Sequence, residues 1–214
     1  MTAVLISIIG PPAVGKTTLA NALAQLLPAE IIKEDYAGNP FLAESFAGSS
    51  DARLPGQLYF LMSRLRQLSV AHWPTKGIFI SDYGYCQDRI FAALRLGADE
   101  LRLYERVAKR VDGMIHPPQL LIHLDADVPC LLERIDNRGR QFEHAMNAEF
   151  LRAIRQGYHQ AVQTANCAVM AINTARRDLR DAQESAQVAA SVLEALEKMR
   201  RDAGGLEDPI PKTG

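Results

Sequence analysis

The stretch Gly10-Pro11-Pro12-Ala13-Val14-Gly15-Lys16-Thr17 decides which fold the chain takes. It matches the pattern GxxxxGK[ST], whose glycines, lysine and hydroxyl residue stand at fixed spacing. An apolar run at residues 4–9 precedes it, as a buried strand would, and apolar residues at helical spacing follow at 17–27. This strand–loop–helix context is the one the motif requires, so the stretch predicts a loop that wraps phosphate groups.

The residue types in this loop suit phosphate binding. Glycine lets backbone N–H groups turn toward phosphate oxygens, and the N-terminus of the following helix adds its positive dipole end. Lys16 is expected to reach the β- and γ-phosphates, and the Thr17 hydroxyl to hold Mg²⁺. A glycine-rich turn with an exposed lysine is the alternative. We expect a nucleoside triphosphate to bind at Gly10, Ala13, Val14, Gly15, Lys16, Thr17 and Thr18.

Five short apolar runs alternate with longer segments of helical spacing. The runs lie at residues 4–9, 30–33, 77–81, 120–124 and 168–172, and the helical segments at 17–27, 54–71, 100–111, 128–136, 147–163 and 182–199. Such alternation predicts an α/β fold, with a five-stranded parallel sheet and helices on both faces. We expect one domain over residues 1–201 and a disordered tail over 202–214, which is rich in glycine and proline.

Composition excludes several classes of protein. The 214 residues are 48% hydrophobic and carry a formal net charge of −1, which argues against a broad basic face that coats nucleic acid. No apolar run approaches the ~20 residues of a membrane span. The three cysteines show no metal-ligand or CxxC spacing, so we expect reduced thiols in a cytoplasmic protein.

Acidic residues follow the second and third predicted strands, where the ligand crevice of an open α/β sheet lies. Glu34 is placed to take a proton from an attacking hydroxyl, or else to begin a loop or cap a helix. Asp82 suits the metal-side carboxylate of a phosphate-loop enzyme, with a helix-capping aspartate as the alternative. Asp88 and Arg89 by themselves indicate a solvated ion pair on a helix.

Three arginines lie on either side of Gly139, at Arg134, Arg138 and Arg140. A mobile loop over about 137–146 would close as a lid on a bound triphosphate, and its guanidinium groups would neutralise the charge that develops during phosphoryl transfer. The alternative is that the arginines stabilise the C-terminal end of a helix through its dipole.

Further pieces of sequence follow the phosphate loop in order. They are Glu34 with Asn39-Pro40-Phe41-Leu42; Gln57-Leu58-Tyr59-Phe60-Leu61 with Arg64; Asp88-Arg89-Ile90-Phe91-Ala92; and Leu132-Glu133-Arg134-Ile135 with Arg138-Gly139-Arg140. With the loop, they make the chain similar to the deoxynucleoside kinase family from residue 4 to about 172. The resemblance implies a three-layer P-loop kinase fold with an arginine-bearing lid. It also implies a homodimer that transfers phosphate from ATP, with Mg²⁺, to the 5′-hydroxyl of a deoxynucleoside.

The resemblance assigns roles to single residues. It implies that Glu34 is the general base and that Glu143 contacts the sugar 3′-hydroxyl. It further implies that Gln57 pairs with the nucleobase edge, assisted by Arg64 and Asp88. The remaining implied roles are catalysis for Lys16, Arg134, Arg138 and Arg140, ATP binding for Arg138, and metal binding for Thr17 and Asp82.

Two departures from the family pattern matter for function. Family members place an arginine after the acid that ends the third strand, in a D/E-R-S motif, whereas this chain has Asp82-Tyr83-Gly84. That arginine helps to hold the catalytic carboxylate and the phosphoryl group, and Arg89 on the next helix is a possible substitute. Phe46 stands near a family tyrosine whose hydroxyl contacts the sugar, which leaves more of that recognition to Glu143.

Two other functions stay open at this point. A nucleoside monophosphate kinase, such as a thymidylate kinase relative, would need a basic group for the acceptor's phosphate, and Arg64 or Arg89 would supply it. A nucleotide-binding subunit without catalysis is the second, because the family includes such a branch in a respiratory complex and the arginine of the D/E-R-S motif is missing here.

Overall fold

Five parallel strands form one sheet in the order β2-β3-β1-β4-β5. The computed structural model describes residues 3–203. The strands are β1 Val4–Ile9, β2 Glu30–Ile32, β3 Ile78–Ser81, β4 Leu120–Asp125 and β5 Ala168–Asn173. All five lie where the sequence places them, to within one residue at each end, and the predicted α/β sheet is confirmed.

Eight helices connect and cover the strands in the described part of the chain. They are α1 Lys16–Leu26, α2 Leu42–Phe46, α3 Arg53–Gln67, α4 Cys86–Arg95, α5 Ala98–Val111, α6 Val128–Arg138, α7 Ala148–Gln163 and α8 Ala182–Ala203. The sequence pattern gave no bounds for α2 and α4. Because α8 continues to Ala203, the start of the predicted tail is helical, and residues 204–214 lie outside the described range.

The central strand β1 shows why the molecule has three layers. Its side chains alternate between the two faces of the sheet, as the period of a strand requires. Ile6 and Ile8 are fully buried in a core with α1, α6 and α8. Leu5 packs on the other face against α3, α4 and α5, and Ile9 packs there against α7. A strand that is buried on both faces reads as a continuous apolar run, which is the pattern in the sequence.

The strand order brings two functional loops together. β1 pairs with β3 in parallel, with Ser7 opposite Ser81, so both strands end at the same edge of the sheet. The chain leaves β1 toward one side of the sheet and later passes to the other side through β4. Ligands bind at such a switch in strand order, beyond the carboxyl ends of the strands. The loop after β1 and Asp82 after β3 therefore face the same crevice.

Gly10 shows how closely the phosphate loop approaches the sheet. Its φ is 144°, and a Cβ atom there would lie 2.2 Å from the carbonyl oxygen of Leu124 in β4. No residue with a side chain fits this approach, so the glycine is required by packing as well as by conformation.

The segment predicted to form a lid begins at the end of α6. Gly139 ends that helix with a φ of 65°, and a short 3₁₀ turn, Gln141–Ala145, follows. Asn147 then caps α7 by accepting a hydrogen bond from the backbone N–H of Phe150 at 2.9 Å. Between residues 3 and 203, no helix combines the length and the apolar character that crossing a membrane requires.

Candidate active site

A cavity of about 240 Å³ lies at the carboxyl ends of β1, β2 and β3. Its walls come from the phosphate loop, α2, α3, α4 and the lid segment. The predicted site residues that line it are Ala13, Val14, Gly15, Lys16, Thr17, Thr18, Glu34, Gln57, Asp82, Asp88, Arg134, Arg138, Arg140 and Glu143. Gly10 and Arg64 lie outside the lining, Gly10 against β4 and Arg64 behind the carboxylates of Glu34 and Asp88.

Lys16 is the cation at the phosphate-loop end of the cavity. Its ammonium group donates hydrogen bonds to the carbonyl oxygens of Gly10 at 2.8 Å and Pro11 at 3.0 Å. Burial lowers the pKa of Lys16 to about 8 from an ordinary 10.5, although the carboxylates of Glu34 and Asp82 oppose this shift. The charged amine therefore costs folding energy here, and an anion beside it would relieve that cost.

Asp82 connects the phosphate loop to the loop after β2. Its Oδ2 accepts a hydrogen bond from the Thr17 hydroxyl at 2.6 Å, and its Oδ1 accepts one from the backbone N–H of Glu34 at 2.8 Å. It does not cap the next helix, because the N-cap position of α4 is Tyr85. A hydroxyl and a carboxylate oxygen stand side by side here, and Mg²⁺ prefers such ligands.

Arg64 lies fully buried behind the cavity and joins two of the predicted site residues. Its Nη2 donates to Glu34 Oε1 at 2.7 Å and lies 3.2 Å from Asp88 Oδ1. Burial opposes the charge of this guanidinium, but the carboxylates of Asp88 and Glu34 outweigh it and raise the pKa of Arg64. Burial raises the pKa of Asp88 to about 6, against the opposing effect of Arg64.

Tyr83, which stands where the resemblance predicts an arginine, also faces Arg64. Its ring lies under the guanidinium, 3.8 Å from ring centroid to Cζ, which is a cation–π geometry. Its hydroxyl donates to Gln67 Oε1 at 2.7 Å. Tyr83 is fully buried and does not line the cavity, so it supports Arg64 from behind.

Arg89 does not replace the missing arginine. It pairs with Asp112 at 2.9 Å and with Glu105 at 3.2 Å, both on the side of α5, and it does not line the cavity. At about 100° per residue, Arg89 lies about 200° around α4 from Gln87, which lines the cavity, so Arg89 turns away from the crevice. Arg89 therefore does not take the role of the family arginine, which the sequence had left open. The expected Asp88–Arg89 ion pair is wrong, because Asp88 is buried and pairs with Arg64.

Gln57 lies on the face of α3 that turns toward the cavity. Gln57, Phe60 and Arg64 are spaced three and four residues apart, so they share that face. Gln57 is buried and lines the cavity beside the Phe60 ring. The buried amide of Asn39 donates to the carbonyl of Gly56 at 3.0 Å and so anchors the preceding loop to α3. The Asn39-Pro40-Phe41-Leu42 motif thus has a structural role beside Gln57.

Gln87 is a site residue that the sequence analysis missed. Its amide nitrogen donates to Glu34 Oε1 at 2.7 Å, and its amide oxygen accepts from the Tyr158 hydroxyl at 2.9 Å. Gln87, Asp88, Phe91 and Arg95 all line the cavity from α4. Their spacing of one, three and four residues is that of one helix face, so a helix assigned to this segment would have identified them.

The lid arginines are held by protein groups. Arg138 and buried Glu143 form a bidentate ion pair, with the Arg138 Nε bond measuring 3.0 Å. Arg140 donates to the Tyr36 hydroxyl at 2.8 Å and lies 4.2 Å above that ring. Arg134 donates to the hydroxyl and carbonyl oxygens of Thr174, at 2.9 and 2.8 Å.

The wall beside the lid is aromatic. Phe46 packs against Phe142, with 5.7 Å between ring centroids, and the guanidinium of Arg95 lies 3.6 Å from the Phe46 centroid. Burial lowers the pKa of Arg95 to about 10. No cluster of three or more histidine, cysteine, aspartate or glutamate side chains suited to a metal occurs between residues 3 and 203. A metal at this site would therefore need oxygen ligands from a bound nucleotide as well as from Thr17 and Asp82.

Comparison with known proteins points to the same family as the sequence motifs. A model of the deoxynucleoside kinase family matches residues 6–198. The chain belongs to the deoxynucleoside kinase family. It is 32% identical over 165 residues to the deoxyguanosine kinase of Bacillus subtilis, covering 76% of this kinase and 80% of that protein. It is 26% identical over 201 residues to the deoxyadenosine kinase of Dictyostelium discoideum, covering 92% of this kinase and 82% of that protein.

Solved structures support the fold. The deoxyadenosine kinase of M. mycoides with products dCMP and dCDP bound has a TM-score of 0.74 at 20% identity, covering 90% of this kinase and 99% of that chain. The same enzyme with bound dATP also gives a TM-score of 0.74. The expected three-layer fold and the expected kinase class are confirmed. The comparisons do not favour a monophosphate kinase or a non-catalytic subunit.

The lowered pKa of Lys16 predicts a pH-dependent effect on stability. Because the folded pKa of about 8 lies below the unfolded 10.5, protonation of Lys16 favours unfolding as pH falls through this range. Lys16→Met should raise the free energy of unfolding of the nucleotide-free protein by about 1–3 kcal/mol near pH 7 and by less near pH 9. Urea unfolding at both pH values measures the difference.

The matched control is Lys33→Met, because Lys33 is exposed just beyond β2. Its effect on stability should be the same at both pH values. A Lys16→Met protein that is less stable than the wild type near pH 7, or whose advantage grows toward pH 9, would contradict the assignment of a desolvated ammonium group.

Proposed function

We propose that this kinase transfers the γ-phosphoryl group of ATP to the 5′-hydroxyl of a deoxynucleoside. The observation that carries the proposal is one cavity with a phosphate-binding loop on one wall and the buried Arg64–Glu34 pair on another. A loop that binds the donor and a carboxylate that receives the acceptor's proton then face the same space. Phosphoryl transfer depends mainly on such positioning and on stabilisation of charge.

The donor end of the cavity is the phosphate loop and the first turn of α1. In the proposed complex the backbone N–H groups of residues 13–18 and the ammonium of Lys16 bind the β- and γ-phosphates. Thr17 and Asp82, whose oxygens lie 2.6 Å apart, fit as ligands for Mg²⁺. The metal, when bound, neutralises charge on the phosphate oxygens.

The acceptor end is formed by Glu34 and α4. In the described part of the chain, Oε1 is the only carboxylate oxygen of Glu34 that accepts hydrogen bonds from side chains. The donors are Arg64 and Gln87. We assign Oε2 the role of accepting the proton of the 5′-hydroxyl as that oxygen attacks phosphorus. Glu34 is the catalytic base in this proposal.

The proposed base-binding end carries an acceptor that makes no hydrogen bond within residues 3–203. Phe60 and Phe91 line the cavity with aromatic rings that suit a nucleobase face. Asp88 Oδ2 is buried and makes no hydrogen bond within residues 3–203. A buried acceptor favours a ligand that donates a hydrogen bond to it. The exocyclic amine of adenine, guanine or cytosine is such a donor, and the Gln57 amide supplies a donor and an acceptor to the same cavity.

In the proposed cycle the lid exchanges one set of partners for another. Arg138 leaves Glu143, and Arg140 leaves Tyr36 and Glu143, from which it lies 3.6 Å away. Both arginines then bind the transferred phosphoryl group, while Glu143 becomes free to accept a hydrogen bond from the sugar 3′-hydroxyl. Arg134 stays at the hinge of the lid, because Thr174 at the end of β5 already binds its guanidinium. We further propose that the kinase is cytoplasmic, since its three cysteines are free thiols. We also propose that it is a homodimer, since the apolar side chains of Met62 in α3 and Leu103 in α5 are exposed.

A substrate panel tests the base preference. Purified kinase with Mg²⁺-ATP should phosphorylate deoxyadenosine, deoxyguanosine or deoxycytidine with a kcat/KM about ten- to a hundredfold above that for thymidine, which carries no exocyclic amine. Product formation on each of the four nucleosides, measured by chromatography, gives the ratio. Thymidine as the best substrate would contradict the role given to Asp88, and no turnover on any of the four would contradict the proposed function.

The role of Glu34 has its own test. Glu34→Gln should lower kcat by about 10²- to 10⁴-fold, because the amide has no free lone pair of comparable basicity for the hydroxyl proton. Calorimetry should still detect deoxynucleoside binding. Glu44→Gln, an exposed change on α2 outside the cavity, is the control and should leave kcat unchanged. Wild-type turnover by Glu34→Gln would remove Glu34 from the mechanism.

A further inference from the structure

Glu34 is held by a hydrogen-bonded chain that reaches across the molecule to α7. Glu34 Oε1 accepts from Gln87 Nε2 at 2.7 Å, and Gln87 Oε1 accepts from the Tyr158 hydroxyl at 2.9 Å. Gln87 is 7% exposed and Tyr158 is fully buried. The three side chains come from the loop after β2, from α4 and from α7, so no local sequence signal connects them.

The direction of each hydrogen bond in this chain is determined by chemistry. An ionised carboxylate only accepts, so the NH₂ of Gln87 must face Glu34 and its oxygen must face Tyr158. Burial raises the pKa of Tyr158 well above its ordinary value, so its hydroxyl keeps the proton that it donates to Gln87. The Tyr158 hydroxyl therefore prevents the amide of Gln87 from turning over.

The helices that carry this chain are closely packed. A Cβ atom at Gly157, the neighbour of Tyr158, would lie 2.6 Å from Ile90 Cγ2 of α4. The small residue thus lets α7 approach α4 at the turn where Gln87 and Tyr158 meet. Tyr158 and Ile154 belong to the same buried cluster as Ile9 of β1. A donor mounted on such a support holds its partner in one position.

We propose that Gln87, oriented by Tyr158, is the positioning residue that fixes the Glu34 carboxylate for proton transfer. This rests on the proposed function of Glu34. Arg64 binds the same oxygen, Oε1, from one direction, and a single contact leaves the carboxylate free to rotate about it. The second donor removes that freedom and leaves Oε2 to the substrate. The neutral amide of Gln87 and the guanidinium of Arg64 thus hold the Glu34 carboxylate together. They do so in a protein that has tyrosine where the resemblance predicts the arginine of the D/E-R-S motif.

Gln87 takes no part in the bond changes themselves. The 5′-oxygen forms a bond to the γ-phosphorus, the bond from that phosphorus to the β,γ-bridging oxygen breaks, and ADP leaves with the electron pair. The proton of the hydroxyl goes to Glu34 Oε2. A carboxylate that is misplaced by about 1 Å can reduce the rate of such a step about a hundredfold without weakening the binding of substrate.

Two substitutions and their combination test the proposal. Gln87→Met keeps the length of the side chain and removes the donor, and Tyr158→Phe removes one hydroxyl. Gln87→Met should lower kcat about ten- to a hundredfold, and Tyr158→Phe about three- to tenfold, with KM for the deoxynucleoside within about threefold of the wild type. In the Gln87→Met background, Tyr158→Phe should lower kcat no further, because the two residues act through one chain.

Each variant has a matched control. Tyr104→Phe removes a hydroxyl that is equally buried but makes no hydrogen bond within residues 3–203, and it should leave kcat unchanged. Gln160→Met changes an exposed glutamine of α7 and should do the same. Thermal unfolding of every variant separates a loss of fold from a loss of positioning.

The outcomes separate this proposal from the one on which it rests. A wild-type protein that phosphorylates no deoxynucleoside overturns both. An active wild type with a Gln87→Met variant of unchanged kcat overturns the positioning role alone. Losses of kcat that multiply in the double variant, or a rise in KM that accounts for the whole effect of Gln87→Met, overturn it as well.

Discussion

The buried guanidinium of Arg64 is the interaction on which the acceptor side of this kinase depends. It lies 2.7 Å from Glu34 and 3.2 Å from Asp88, with the ring of Tyr83 beneath it. These partners come from the loop after β2, from α4 and from the loop after β3. Taking such charges out of water costs several kcal/mol each, and the cost is recovered only when all the partners are in place. Arg64 thus fixes how α3 and α4 sit over the edge of the sheet.

Charge in the cavity is sorted by position. Lys16 lies at the proposed donor end, where desolvation lowers its pKa to about 8, and buried Asp88 lies at the proposed nucleoside end, where desolvation raises its pKa to about 6. In both cases burial destabilises the charged form and so shifts the pKa, and a ligand group that pairs with the charge would relieve that cost. The Arg138–Glu143 ion pair follows the same principle in the predicted lid. Without substrate, each side chain neutralises the charge of the other.

Much of this could be predicted from the sequence, because the informative signals were local. Short apolar runs located all five strands, and the phosphate motif with strand-end acids placed Lys16, Glu34 and Asp82 at one edge. Other features depend on tertiary contacts. The segment of α4 mixes polar and apolar residues, so its face toward the cavity was not assigned, Gln87 was missed and Arg89 was given the wrong direction. The burial of Arg64 likewise follows only from how α3 packs on α4.

The most direct test of the role of Arg64 is a double-mutant cycle on the free energy of unfolding at neutral pH, with Arg64→Met and Asp88→Asn. Arg64→Met alone should cost about 3–5 kcal/mol, because it leaves two carboxylates without their cation. Adding Asp88→Asn should recover part of that loss, since it removes one of the two isolated charges. Strictly additive effects, or an Arg64→Met protein as stable as the wild type, would contradict the claim that this buried cation holds the site together.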